Sequence, residues 1–236
     1  MGRRWGTAVA VCEAAGMHIG VLGGTGPAGR GMATRLAAAG HRVTLGSRDR
    51  AKAAEVVDEL RERWGDRIAG LEPGTNHDAA DADLVVLATV WDAAVPTARA
   101  HADQLAGKIV ISMANGLEKR GRQFVPVPSP AGSIAAEVKA EAPGAYVVAA
   151  FHLVPAAALA DISQPLTGDV LVVGDEEGRG VVLDLVDAIP DLRAFDAGPL
   201  ENAMGLEAFS AALLTVNLRH KGEGSLRIEG VGPRRT

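Results

Sequence analysis

Gly24, Gly26 and Gly29 follow G-x-G-x-x-G, a spacing suited to holding a phosphate with main-chain amides rather than with charged side chains. Gly24 is expected to allow the tight turn, Gly26 to leave room for a pyrophosphate, and Gly29 to let the next helix sit close to the strand. Thr25, Pro27 and Ala28 complete the turn. Glycine-rich turns also occur without a ligand, but here an apolar strand, Ile19 to Leu22, precedes the turn and an amphipathic run, Arg30 to Ala39, follows it. That context favours a dinucleotide, whose pyrophosphate meets the unpaired N–H groups and positive dipole end of the helix.

Which dinucleotide depends on the end of the second strand. An NAD site places Asp or Glu there for the ribose 2′-hydroxyl. This chain has Ser47 and Arg48, followed by Asp49, Arg50 and Lys52. A hydroxyl and cations suit the dianionic 2′-phosphate of NADP, which a carboxylate would repel. The other reading is a solvated helix start, and Asp49 weighs on that side. Cations at a helix N-terminus nevertheless oppose its dipole unless an anion is bound.

Further groups fall at the carboxyl ends of later strands, where ligands bind in open α/β sheets. Thr89, Val90 and Trp91 follow Leu84 to Ala88, and Ala114 and Asn115 follow Ile109 to Met113. Trp91 reads equally as a packing residue on the next helix, and Asn115-Gly116 equally as a loop. His152 follows the strand Tyr146 to Ala150, as a site residue or as a hydrogen-bonded structural histidine. Much dehydrogenase machinery is missing. The sole tyrosine, Tyr146, has Ala150 four places on, so there is no Tyr-x-x-x-Lys pair, and the lone Cys12 argues against a zinc site with cysteine ligands. A partner that accepts hydride with little help in proton transfer suits this sparse inventory, with His152 the one candidate for proton exchange and no metal expected.

The elements that must position these groups alternate as β and α. Gly40 ends the first helix and Arg42 to Gly46 is the second strand. A helix from Arg50 to Trp64 is expected to turn one apolar face, Ala53, Val56, Val57, Leu60 and Trp64, against the sheet. Ile68 to Leu71 is expected as a third strand, Glu72-Pro73-Gly74 as a turn, and Asn76-His77-Asp78 as the cap of a brief helix. Lys119 to Gly132, with Pro126, Pro128 and Pro130, reads as a loop, and Ser133 as the cap of a helix from Ile134 to Ala142. Asp169 to Val173 and Leu192 to Asp196 are strands flanking a helix from Gly178 to Ile189. A long helix from Leu200 to His220 carries Leu206, Phe209, Leu213 and Val216 toward the first domain or a second subunit.

The expected fold is therefore α/β: a Rossmann-type doubly wound parallel sheet over residues 17–150 and a smaller C-terminal α/β domain over 151–236 that ends in the long helix. With 47% hydrophobic residues in 236, the chain can bury such a core. Aromatics at 3% and a net charge of −5 give no reason to bind nucleic acid or an anionic membrane. No apolar window of about 18 residues suggests a membrane span. A single cysteine fits a reducing, cytoplasmic setting. Residues 1–16 are expected to be a poorly ordered extension, or translation to begin at Met17.

The chain resembles the F420-dependent NADP oxidoreductases, also called NADPH-dependent F420 reductases. The resemblance rests on Leu22-Gly23-Gly24-Thr25-Gly26 with Gly29, Gly46-Ser47-Arg48 with Lys52, Trp91, and Ala150-Phe151-His152 with Pro155-Ala156. It extends to Asp196-Ala197-Gly198-Pro199-Leu200 with Asn202 and to the segment from Asn217 to Gly224, so that it spans about Met17 to Val231. It implies reversible hydride transfer between NADP(H) and the deazaflavin coenzyme F420 in a cleft between two domains, in a homodimer. Thr25, Ser47, Arg48 and Lys52 would hold the NADP phosphates. His152, Leu153, Val154 and Pro155 would line the deazaflavin, with Ser210 contacting it from the long helix. Met204 and Ala208 depart from members that carry basic or hydrogen-bonding residues there. Two other readings stand beside this one: an NADP-dependent reductase of a small imine or keto substrate, and a non-catalytic NADP-binding protein.

Overall fold

The computed structural model describes residues 16–232. Cys12 and nearly all of the expected N-terminal extension lie outside them. In chain order the elements are β1 (His18–Leu22), α1 (Pro27–Ala38), β2 (Arg42–Ser47), α2 (Arg50–Trp64), β3 (Leu71–Thr75), α3 (Asn76–Ala80) and β4 (Leu84–Leu87). There follow α4 (Trp91–Ala100), α5 (Ala102–Leu105), β5 (Ile109–Ser112), β6 (Leu117–Arg120), β7 (Gln123–Pro126), α6 (Ile134–Glu141) and β8 (Tyr146–Ala149). The last are α7 (Ala156–Ala160), β9 (Gly168–Gly174), α8 (Glu176–Asp187), β10 (Leu192–Asp196) and α9 (Ala203–His220).

Eight strands form one sheet in the order β10-β9-β8-β5-β4-β1-β2-β3. From β3 to β8 every pairing is parallel. β9 then joins β8 antiparallel, and β10 joins β9 parallel. The chain steps outward from β1 in both directions, so the crevice of the winding opens at the carboxyl ends of β1 and β4. The central strands are apolar on both sides, as a covered parallel sheet requires. Ile19, Val21, Leu84 and Val86 face a core shared with α1, α2, α7 and α8. Leu22, Val85 and Leu87 face a second core shared with α3, α4, α6 and α9.

Two expectations fail. The third strand is Leu71–Thr75, not Ile68 to Leu71, and it includes the supposed turn at Glu72-Pro73-Gly74. Ile68 instead closes a 3₁₀ turn over Gly65–Ile68. Pro73 is tolerated because β3 is an edge strand, where a missing N–H has no partner to lose. The supposed loop from Lys119 to Gly132 holds most of a hairpin, with β6 and β7 in register from Leu117↔Pro126 to Arg120↔Gln123. Gly121, at φ 60°, opens its two-residue turn, and Phe124 N–H donates to Thr215 Oγ1 of α9 at 2.8 Å.

The tightest approach to the sheet is at Gly20, where a Cβ would lie 1.8 Å from the Ala79 carbonyl oxygen of α3. Gly20→Ala should therefore displace α3 at a cost of about 1–3 kcal/mol or more. Urea unfolding would register this as a lower midpoint, and an unchanged midpoint would refute the contact.

Candidate functional site: a two-part cleft at the carboxyl edge of the sheet

The glycine turn works somewhat differently from expectation. Gly23, at φ 76°, takes the left-handed conformation, and a Cβ there would also strike Thr89 Cγ2 at 2.7 Å. Gly24 instead presses on β2: its N–H donates to Gly46 O at 2.8 Å, and a Cβ would meet Leu45 Cγ at 2.7 Å. At Gly29 a Cβ would lie 2.5 Å from Gly23 O, so glycine there sets how closely α1 meets the turn. Gly26 alone of these faces open space, with no atom nearer than 3.5 Å to a Cβ. It is the N-cap of α1, with no side-chain cap and no acidic residue in the first turn. The helix thus presents bare N–H groups to the cleft.

That cleft, of about 1060 Å³, is lined by Thr25, Gly26, Pro27 and Ala28, by Ser47 and Arg48 at the end of β2 with Asp49 and Lys52 at the start of α2, and by Thr89, Val90 and Trp91 after β4. Ala114 and Asn115 close it after β5. Gly24 and Gly29 shape its floor without lining it. The cations separate by role. Arg50 pairs with Asp78 at 2.9 Å, and Asp49 caps α2 by accepting from Ala51 N–H. Arg48 and Lys52 are exposed and make no hydrogen bond or ion pair among the described residues. Asp49 also lines the cleft, but it turns its carboxylate to the first turn of α2, where the helix dipole offsets part of its charge.

A second cavity, of about 180 Å³, is lined by His152, Leu153, Val154 and Pro155 and, from α9, by Ser210. It shares Ala28, Met113, Asn115 and Ala156 with the larger cleft. Phe151, buried and at φ 66°, turns the chain out of β8 in a conformation that a bulky residue adopts only under restraint, and so directs His152 inward. Both His152 ring nitrogens are buried without a partner. Burial lowers the imidazole to about 4, against the opposing influence of the nearby backbone at Ala114 and Ala150. At neutral pH the ring is uncharged. Thr89 Oγ1 and Asn115 Oδ1 are likewise buried and unpaired. Such groups cost about 1–3 kcal/mol each when left unmatched, and three of them border one connected cleft.

Several contributors escaped the sequence. Asn76 lines the cleft and accepts from Gly23 N–H at 3.2 Å, while Thr75 rather than Asn76 caps α3. Pro96 and Thr97 of α4 and His101, its C-cap, extend the larger cleft. Leu213, Asn217 and Gly224 complete the smaller one. Asn217 and Gly224 exchange two hydrogen bonds, at 2.8 and 3.0 Å, which bring the segment after α9 against the cavity. Farther along, Ile228 N–H donates to Asp169, a buried carboxylate that Arg193 also grips with two bonds of 2.6 Å. Among the described residues no cluster of His, Cys, Asp or Glu could hold a metal, and no helix is long and apolar enough to cross a membrane.

The profile of the family described as NADP oxidoreductase, coenzyme F420-dependent, matches residues 18–116. The F420-dependent NADP reductase of Methanocaldococcus jannaschii is 37% identical over 221 residues, 89% of this chain and 96% of that protein. The chain belongs to the F420-dependent NADP reductase family. A solved structure of a candidate F420-dependent NADP reductase from Arthrobacter sp. FB24 is 29% identical, covers 90% of this chain and 99% of that one, and superposes with a TM-score of 0.75. An imine reductase of Streptomyces aurantiacus shares the fold alone, at 21% identity and a TM-score of 0.57 over 86% of this chain and 62% of that one. The family profile reaches the glycine turn, Arg48, Thr89 and Asn115. Similarity across the second cavity comes from the full-length relative.

The α9 wall of the second cavity depends on buried contacts. On α9, Glu207 accepts from the N–H groups of Ile134 and Ala135 at 2.8 and 3.0 Å, capping α6, while its own carbonyl accepts from Ser210 Oγ at 2.5 Å. Burial pushes the Glu207 carboxyl from 4.5 up to about 7, against the two N–H bonds. Since the folded chain holds this proton more tightly than the unfolded one, the stability it contributes is full below about pH 4.5 and lost as pH rises to about 7. Glu207→Gln should lose that slope. Thermal melts across this window should show wild type declining relative to the variant as pH rises, and parallel curves would contradict the assignment.

Proposed function

We propose that this protein catalyses reversible hydride transfer between NADP(H) and coenzyme F420, with the nicotinamide at the junction of the two cavities. One observation carries the reading: a large cleft with a phosphate-ready end adjoins a smaller cavity through the shared walls at Ala28, Met113, Asn115 and Ala156. A dinucleotide and a second ring system therefore have adjoining places. The two coenzymes supply the redox chemistry when bound. What the chain must do is hold, orient and exclude water.

Each part has a role in this proposal. The bare N-terminus of α1 with Thr25, Gly26, Pro27 and Ala28 takes the pyrophosphate, and Gly24 and Gly29 make that approach possible. Ser47, Arg48 and Lys52 select the 2′-phosphate. Thr89, Val90, Trp91, Ala114 and Asn115 flank the nicotinamide half, with the unpaired Thr89 Oγ1 and Asn115 Oδ1 awaiting hydrogen bonds from it. His152 to Pro155 and Ser210 receive the deazaflavin. His152 acts there as a neutral imidazole that orients the ring by hydrogen bonding, because a group with a pKa of about 4 is a poor proton carrier near neutrality. Residues 17–150 hold NADP and 151–236 complete the deazaflavin cleft. Phe209 and Val216, at i and i+7 on one stripe of α9, are 47% and 52% exposed, which favours a homodimer burying them. Cytoplasmic residence fits the reading.

Mixing the protein with NADPH and oxidised F420 should bleach the deazaflavin absorbance at a rate proportional to enzyme. No bleaching under conditions where NADPH binds would overturn the proposal. Arg48→Ala loses a charge-assisted phosphate contact worth about 1.5–3 kcal/mol, so the NADPH KM should rise about 10- to 150-fold with little change for NADH. An unchanged preference between the two would remove Arg48 from the site. For His152→Ala, titrations should show F420 binding weakened more than NADPH binding, and equal losses would count against its placement.

A further inference from the structure

Arg35 is a charged residue on the buried face of α1, well away from the glycine turn, and nothing in the proposed chemistry uses it. Its guanidinium is surrounded by backbone carbonyls of one segment. Nη2 donates to Ala158 O and Asp161 O, both at 2.7 Å, and Nε and Nη1 reach Leu159 O at 3.3 Å and Gln164 O at 3.4 Å. Two of these carbonyls close the last turn of α7, whose orphan acceptors and negative dipole end suit a cation carrying only donors. Arg67, from the 3₁₀ turn after α2, bonds Ile162 O in the same segment.

Position on the helix gives this clasp its meaning. Ala28, Gly31 and Arg35 lie at i, i+3 and i+7 and so share one stripe of α1. Ala28 lines both cavities. At Gly31 a Cβ would meet Leu159 Cβ at 2.8 Å, and Ala156 O and Ala160 N each at 3.0 Å, so α7 lies directly on the helix backbone. Ala156, the first residue of α7, also lines both cavities and directly follows the His152 to Pro155 wall. A five-residue helix cannot hold itself in place by its own hydrogen bonds. Its placement comes from α1: close contact at Gly31 and the carbonyl clasp one turn later.

We propose that Arg35 is a positioning residue for the second substrate: it fixes α7 to the dinucleotide-binding helix and thereby sets the distance between the two coenzyme sites. The inference rests on the hydride-transfer reading above. An aliphatic side chain would fill the volume but leave the carbonyls of α7 and the following loop unmatched, and lysine would supply one point of attachment in place of a fork.

The test compares wild type with Arg35→Met, Arg35→Lys and Gly31→Ala. F420 binding is followed by the coenzyme's own fluorescence on enzyme saturated with NADP, NADPH binding is measured separately, and steady-state KM and kcat are taken for both. Arg35→Met should weaken F420 binding about tenfold or more and raise its KM to match, with NADPH binding within about twofold of wild type. Arg35→Lys should fall between the two. Hydrogen exchange should accelerate at residues 156–164 and stay unchanged in β1 and the first turn of α1. Gly31→Ala, which pushes α7 away without touching the guanidinium, should give the same split and decides the matter if Arg35→Met does not fold. Equal loss of both coenzymes, or full F420 affinity in a variant with faster exchange at 156–164, would overturn the proposal. Absence of F420 turnover in wild type would instead overturn the functional reading beneath it.

Discussion

How closely α1 can approach its neighbours is the constraint on which the rest of this structure depends. At one end the helix lies against the glycine turn because Gly29 has no Cβ to hold it off Gly23 O. Along its flank it lies against α7 because Gly31 has none either. A helix held back by one methyl group at the first point would withdraw its N–H groups from the cleft; at the second it would widen the smaller cavity. Both cavities are thus measured from one rigid rod, and packed interiors have little slack to absorb an error in either contact.

Electrostatic arrangement supplies what shape does not. Arg50 and Asp49 are used up within the fold, as ion pair and helix cap, which leaves Arg48 and Lys52 as the uncommitted cations at the end of β2. Farther in, charge gives way to unpaired neutral groups: Thr89 Oγ1, Asn115 Oδ1 and the His152 ring. The order is complementary to a dinucleotide that carries its phosphates toward one end and the hydrogen-bonding carboxamide of nicotinamide at the other.

Much of this was legible in the residues. The β–α alternation, the glycine turn and the pair Ser47 and Arg48 are local signals, and each depends on neighbours in sequence. The limits of α2 and the cap at Ser133 followed from the same local rules. What stayed hidden depends on distant partners. Pro73 argues for a turn until β3 is known to lie at an edge. Prolines after Lys119 masked the hairpin, although Gly121-Arg122 between two short extended runs was the available cue. The left-handed residue of the turn is Gly23 and not Gly24, a distinction that spacing cannot make where glycines adjoin. Nothing near Arg35 or Glu207 in sequence signals that either is buried, because the carbonyls and amides that satisfy them lie over 70 residues away.

The antiparallel return of β9 and the segment after α9 give the two halves of the cleft different histories. Everything lining the larger cleft except Ala156 is present once residue 115 has been made. The smaller cavity waits for Gly224, and the Asp169 grip on that closing segment waits for Ile228. During synthesis the larger cleft therefore has nearly all of its lining residues well before the smaller cavity has its own.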